Sequence, residues 1–374
     1  MLRRGAWLVV SGALLAGAAR AWIAPEPAAQ AAPEPTYEEA IDVSLLTMVV
    51  RVVDTWGNPI LGLEPADFRV RLGRADVPVV ALDWVALGGE LPAIGAEQEA
   101  VREAESAGAD PSASAEDRSA SASHAGGEPG RLIVVFVQAD LTPSRISGQM
   151  RLRPHTGELL AGLQARDRVA VVSFDSHLKL WQDFASDAGA TRAAIDEAML
   201  FSPERDVAVA EPLSFARHFD RAAARLAASP ERALELVARA LEPLPGEKVI
   251  LYLGWGMGRF DGSGVHMTPA YGPAVRALHA ANSSVFVLDV TSADSHSLEV
   301  GLQAVAEATG GAYFSTFRMP ALATATLGRA LSGYYVLTLD HAALGDDAGR
   351  LRVELRRRQG TVLTRPIALR APSS

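Results

Sequence analysis

Four short apolar runs constrain this chain more than any other feature: LIVVFV (132–137), VAVVSF (169–174), VILYL (249–253) and SVFVLDV (284–290). They are short for helices, and they lack the polar-apolar alternation of a strand with one wet face. Each therefore reads as a strand covered on both faces. Helical patterns stand between them, among them ERALELVARALEPL and HSLEVGLQAVAEATGG. Strands that alternate with helices imply parallel pairing through crossovers. The sequence thus predicts an α/β fold, a doubly wound, mostly parallel, Rossmann-like sheet over residues 131–331. The helix after Ser297 should stop at Gly310-Gly311, where glycine suits a left-handed terminus, and AYFSTF should follow as a further strand.

On either side of this region the period changes to two. Val43, Leu45 and Val49, then Phe68, Val70 and Leu72, alternate with polar neighbours, and a turn signal stands at Gly57-Asn58-Pro59. This predicts a small antiparallel β domain over 40–86, too short to be stable without support. Residues 332–374 read as a C-terminal β meander with turns at Gly345-Asp346-Asp347 and Gln359-Gly360. Leu351, Val353 and Leu355 alternate there with Arg352, Glu354 and Arg356, so the charged set is the solvated face of a strand. Whether the two β segments pack together is left open.

The first residues place Arg3 and Arg4 before an apolar run that ends in the small-x-small triplet Ala19-Arg20-Ala21. This reads as a secretory signal peptide over 1–21, cleaved after Ala21, because the run is shorter than the roughly 20 residues that span a bilayer. Residues 22–39 are a Pro/Ala-rich tether. Residues 87–130 are Ala-, Ser-, Gly- and Glu-rich with hardly a large apolar side chain, and read as a disordered acidic linker. The expected location is periplasmic or secreted, with no membrane-spanning segment once the signal is removed. Cleavage would take Arg3, Arg4 and Arg20 and move the formal charge from −9 to −12, which disfavours nucleic acid as a partner. The chain has no cysteine, so disulfides and thiolate metal sites are excluded.

Three stretches resemble a known family. Val53, Asp54, Gly57, Pro59, Gly62, Leu63, Asp67 and Phe68 match the β-domain motif of bacterial secreted proteins related to the von Willebrand factor type A (VWA) domain. LAGLQARDRVAVVSFDSHLKLWQDF is similar to a helix, second strand and edge hairpin of VWA domains. Ala306 to Phe314 resembles their A-x-x-T-G-G-x-x-F segment. The resemblance implies a binding module whose ligands meet the carboxyl ends of the parallel strands, where metal-binding members carry a D-x-S-x-S loop.

The chain offers Asp140, Thr142 and Ser144 at that loop. One carboxylate and two hydroxyls are hard oxygen ligands that would select Mg2+. Against a metal, the loop after VILYL reads Gly254-Trp255-Gly256 where the resemblance implies an acidic ligand, and no threonine ligand stands before Ser229. The alternative is that Thr142 and Ser144 cap the next helix, a reading that Pro143 supports. The expectation is an incomplete site with no resident cofactor. Asp175, Asp289 and Asp294 lie near the same rim, and Trp56 and Trp255 are either exposed or buried aromatics. No G-x-S-x-G or H-E-x-x-H motif is present. The predicted function is a non-catalytic extracytoplasmic protein-binding or scaffolding module with its partner at the rim. The alternatives are a Mg2+-dependent adhesin-like receptor, and a hydrolase whose pocket would join Asp140 to Asp289.

Overall fold

A computed structural model of the chain describes residues 45–87, 130–340 and 349–369. The expected signal peptide (1–21), the tether (22–39), all but the end residues of the linker (87–130) and the turn at Gly345-Asp346-Asp347 lie outside the described residues.

In chain order among the described residues come β1 (Leu45–Val53), β2 (Phe68–Leu72), β3 (Ala75–Val77), β4 (Val79–Ala86) and β5 (Leu132–Gln138). There follow α1 (Pro143–Leu152), α2 (Thr156–Ala161), β6 (Arg168–Phe174), β7 (Leu178–Ala185), α3 (Ala188–Met199), α4 (Arg221–Arg225) and α5 (Pro230–Leu241). Next come β8 (Lys248–Gly254), β9 (Arg259–Phe260), β10 (Val265–His266), α6 (Tyr271–Ala280), β11 (Ser283–Asp289), α7 (Glu299–Thr309) and β12 (Tyr313–Ser315). The chain closes with α8 (Pro320–Ala330), β13 (Gly333–Asp340), β14 (Gly349–Leu355), β15 (Thr361–Thr364) and β16 (Ala368–Leu369).

The continuous apolar runs became central strands of a six-stranded sheet with order β12-β11-β8-β5-β6-β7. All neighbours pair in parallel except β6 and β7, which form an antiparallel edge hairpin. Every residue of β5 is buried. Leu132, Val134 and Phe136 enter one core with Leu234, Val237 and Leu241 of α5, Leu278 of α6 and Leu302 of α7. Ile133, Val135 and Val137 enter the other with Leu152 of α1, Leu159 of α2, Ile195 of α3 and Leu327 of α8. Each such side chain contributes about 1.5–3 kcal/mol when fully buried, and this explains why both faces of the run had to be apolar. Helix α7 ends at Gly310, whose φ of 71° is the left-handed conformation expected of that residue.

The winding reverses between β5 and β8, which places a crevice at their carboxyl ends. We call that end of the sheet the crest and the opposite end the base.

The two β segments, whose relation the sequence left open, form one sandwich. One sheet has the order β15-β1-β13-β4 and the other β16-β14-β2-β3. The C-terminal segment therefore does not fold as a meander. Strand β13 inserts between β1 and β4, and β14 pairs with β2 through Val353 opposite Val70. The physical reason is that β1 and β4 do not pair with each other, so β1–β4 alone would leave bare edges and an open apolar face. Met48, Val50, Phe68, Val70, Tyr335, Leu337, Leu351 and Val353 fill the shared core. Tyr335 locks it by donating its hydroxyl to the Ile60 carbonyl at 2.9 Å and accepting from the Leu63 N–H at 3.3 Å.

The Gly57 turn fixes the sandwich against the α/β layer. Asp54 accepts the N–H groups of Trp56 and Asn58, and a side chain on Gly57, whose φ is 78°, would collide with Thr326 of α8. Arg329 of α8 donates to the Trp56 carbonyl at 2.8 Å. Trp56 itself is 64% exposed.

Candidate functional site

The crest is built from the loops after β5, β8, β11 and β12. After β5 the chain turns at Asp140 into α1, with Thr142 as the N-terminal flanking residue and Pro143 as the first helical one. Thr142 makes no capping bond from its side chain. Instead the Asp140 carboxylate takes the turn: one oxygen accepts the Thr142 N–H at 2.6 Å, and the other holds the Arg145 guanidinium. Burial pushes the Asp140 carboxyl up, but the bonds from Thr142 and Arg145 outweigh it and hold it below its usual value. Thr142 and Ser144 are exposed. The Ser144 carbonyl accepts from the Ser292 hydroxyl of the loop after β11 at 2.7 Å.

Arg145 also lies over the Trp255 ring, 3.2 Å from its centroid. Trp255 belongs to the loop after β8, and Gln138, the last residue of β5, fixes that loop. The Gln138 side-chain oxygen accepts the N–H groups of Trp255 at 3.0 Å and Gly256 at 3.2 Å. Residues from both sides of the switch point therefore meet, and the cation between them is a guanidinium of the chain itself. One Asp140 oxygen is engaged by the Thr142 N–H and the other by Arg145, and Trp255 stands in the β8 loop where the resemblance implies an acidic ligand. Ser229 flanks the start of α5 and accepts the Arg232 N–H at 3.2 Å. The buried Glu231 accepts the Gly258 N–H at 3.1 Å.

A second constellation forms at the end of β11. Asp289, 1% exposed, contacts the His296 ring nitrogen at 2.7 Å and accepts from the Tyr313 hydroxyl at 2.6 Å and the Thr291 N–H at 2.9 Å. Burial pushes its carboxyl up, yet His296, Tyr313 and Thr291 together hold it below the usual value. The same burial and the nearby carboxylate push the Tyr313 phenol up. Ligand atoms of Asp289, His296 and Glu299 lie within 4.8 Å of one another. The sequence singled out Asp289 but not its partners. The H-x-x-E spacing of His296 and Glu299 was the available signal. Asp175 pairs with Lys179 at 2.7 Å, and Asp294 with Arg318 at 2.5 Å.

Around these groups the crest exposes apolar side chains: Leu141 after β5 is 72% exposed, Phe260 after β8 60%, Val300 after β11 55% and Met319 after β12 61%. Among the described residues no helix is long and apolar enough to cross a membrane.

No protein-family model matches the sequence, and no curated protein sequence does. Solved structures similar to the chain include BatB from Bacteroides thetaiotaomicron, 14% identical over 54% of this chain and 97% of that one, with a TM-score of 0.36. An aerotolerance-related membrane protein from Bacteroides fragilis is 14% identical over 53% and 98%, with a TM-score of 0.36. A von Willebrand factor type A protein from Catenulispora acidiphila is 14% identical over 64% and 66%, with a TM-score of 0.35. Likeness at this level leaves function to be argued from the crest itself.

Proposed function

We infer that the protein is a non-catalytic, extracytoplasmic protein-binding or scaffolding module that meets a protein partner at its crest, over a degenerate metal position. The observation that carries this reading is the Arg145 guanidinium held between Asp140 and Trp255, a built-in cation at the switch point. Further support comes from Leu141, Phe260, Val300 and Met319, exposed large apolar residues that follow β5, β8, β11 and β12 at the same end of the sheet. The extracytoplasmic location rests on the signal-peptide pattern of residues 1–21.

Two measurements test this reading. Affinity capture from envelope extract should recover a protein with wild type but not with the Leu141→Asp, Phe260→Asp double variant. Equal capture by both moves the interaction away from the crest. Calorimetric titration of Mg2+ should give blank traces for wild type and for Asp140→Ala. A binding heat in wild type that Asp140→Ala abolishes would establish the adhesin-like alternative instead. Turnover of ester, peptide or glycoside substrates at enzyme-like rates would overturn both.

A further inference from the structure

At the base of the sheet, where the sandwich meets α6 and α7, a cleft of about 760 Å3 opens. A volume of roughly 300–1,000 Å3 is that of small-molecule sites. Its polar lining is Arg365, Arg350, His279, Asn282, Thr364 and Glu307. Met48, Val275, Val336 and Ile367 supply an apolar wall. A smaller recess of about 190 Å3, lined by Arg51, Glu247 and Tyr334, shares Val49, Asn282, Thr364 and Arg365 with it. Arg365 therefore stands where the two spaces meet.

The chain fixes Arg365 firmly. It follows β15 directly and precedes Pro366. Thr364 donates to the Val49 carbonyl at 3.1 Å, and the Arg365 backbone packs so closely on Gly310 that a side chain there would collide with it. Its guanidinium is half-buried, yet among the described residues it has no hydrogen bond or ion pair. Burial holds its pKa below the usual value. Lys248, 5% exposed at the start of β8, is also without a partner among the described residues, and its pKa is lowered by burial and then by the charge of Arg365. The fully buried arginines differ. Arg51 has Glu247 and Arg131 has Asp167. An unpaired cation out of water is costly, and two near each other are worse. Glu307 carries a negative charge at the cleft, but it is exposed and makes no ion pair among the described residues.

We propose that this cleft binds a small organic oxyanion, a carboxylate or a phosphate ester, with Arg365 as its principal ligand and the apolar wall holding its carbon skeleton. The planar guanidinium fork suits a two-oxygen anion. Lys248 adds positive field, and the Asn282 amide supplies a neutral hydrogen-bond donor on the same lining. The site is at the opposite end of the strands from the crest, so it stands independently of the reading given above.

The test is calorimetry and thermal unfolding of the full chain with inorganic phosphate and, separately, succinate, at ionic strength matched with NaCl. Wild type should bind at least one anion and unfold at higher temperature in its presence. Arg365→Met should weaken that affinity about tenfold or more, as expected for loss of a charge-assisted bidentate pair. Should Arg365→Met not fold, Arg365→Lys, which keeps the charge and loses the fork, must bind several-fold more weakly. A phosphate-only or succinate-only response fixes the ligand class. No response to either anion beyond NaCl, or unchanged affinity in the folded Arg365 variant, overturns the proposal.

Discussion

The two ends of the same parallel strands treat charge in opposite ways. At the crest each carboxylate that ends or follows a strand has a cationic or histidine neighbour: Asp140 with Arg145, Asp175 with Lys179, Asp289 with His296, and Asp294 with Arg318. At the base a cation stands at the start of β5, β6 and β8, as Arg131, Arg168 and Lys248. Arg131 before β5 is matched, whereas Lys248 at the start of β8 is not. A closed set of pairs leaves a surface for contact, and an open set leaves room for an ion.

Arg131 provides the largest test of that contrast. Its guanidinium makes two bonds to Asp167, at 3.2 and 2.6 Å, and one to the Leu331 carbonyl at 2.6 Å, with both side chains about 1% exposed. Asp167→Asn should lower stability by about 3–5 kcal/mol, the cost of a buried charge left without its partner, as read from urea unfolding at pH 7. A loss under about 1 kcal/mol would mean that the base tolerates unmatched cations generally, and Lys248 would no longer be special.

At the crest the counterpart is Asp289→Asn, with an expected loss of about 2 kcal/mol, since His296 and Tyr313 then face a neutral acceptor. The folded pKa of Asp289 is depressed, so its ionisation contributes stability above the unfolded value near 3.9. That contribution disappears as pH falls through the lower folded value. Wild type should therefore lose stability on acidification below about pH 4 more steeply than Asp289→Asn. Parallel acid limbs would show that the pair does not favour the ionised carboxylate.

These contrasts were unevenly legible in the sequence. The sheet was legible because burial on both faces forces a continuous apolar run such as LIVVFV, and no other element of that length demands one. The Gly310 stop was legible because a left-handed terminus favours one residue. The sandwich was not. Val353 meets Val70, 283 positions away in the chain, in register, and alternation tells which face a strand buries but not which strand covers it. Asp140 was visible, yet its partner Arg145 looked like an ordinary helical residue. Only the loop after β8 told what Arg145 covers, with Trp255 where the resemblance implied an acid. The loop between α3 and α4 hid its organiser altogether. Asp183 of β7 accepts the N–H groups of Ala210, Phe215 and Ala216 and the Ser214 hydroxyl, contacts with no local spacing to reveal them.

Lys248→Met sharpens the contrast from the base. Removing a desolvated, partnerless ammonium should stabilise the protein by about 1 kcal/mol at pH 7. The lowered folded pKa means the penalty is present while the amine is charged and fades as pH rises toward the unfolded value near 10.4. The advantage of the variant over wild type should therefore shrink in alkali, and chemical denaturation at pH 7 and 10 reads the difference. A destabilised variant would show instead that the Lys248 chain is held by packing, and the base would lose its claim to unmatched charge.

The smallest expected effect returns to the crest, at Arg318. Its 2.5 Å bond to Asp294 is short, but the side chains are 70% and 62% exposed. Water screens an exposed pair, and ordering two mobile side chains offsets most of the attraction. Arg318→Ala should therefore change stability by less than about 0.5 kcal/mol, and any change should vanish in molar salt. The outcome decides what crest pairing is for. A loss above about 1 kcal/mol would make these pairs structural supports of the loops. A negligible loss in stability together with weaker partner capture would place Arg318 among contact residues whose charges meet a partner rather than each other.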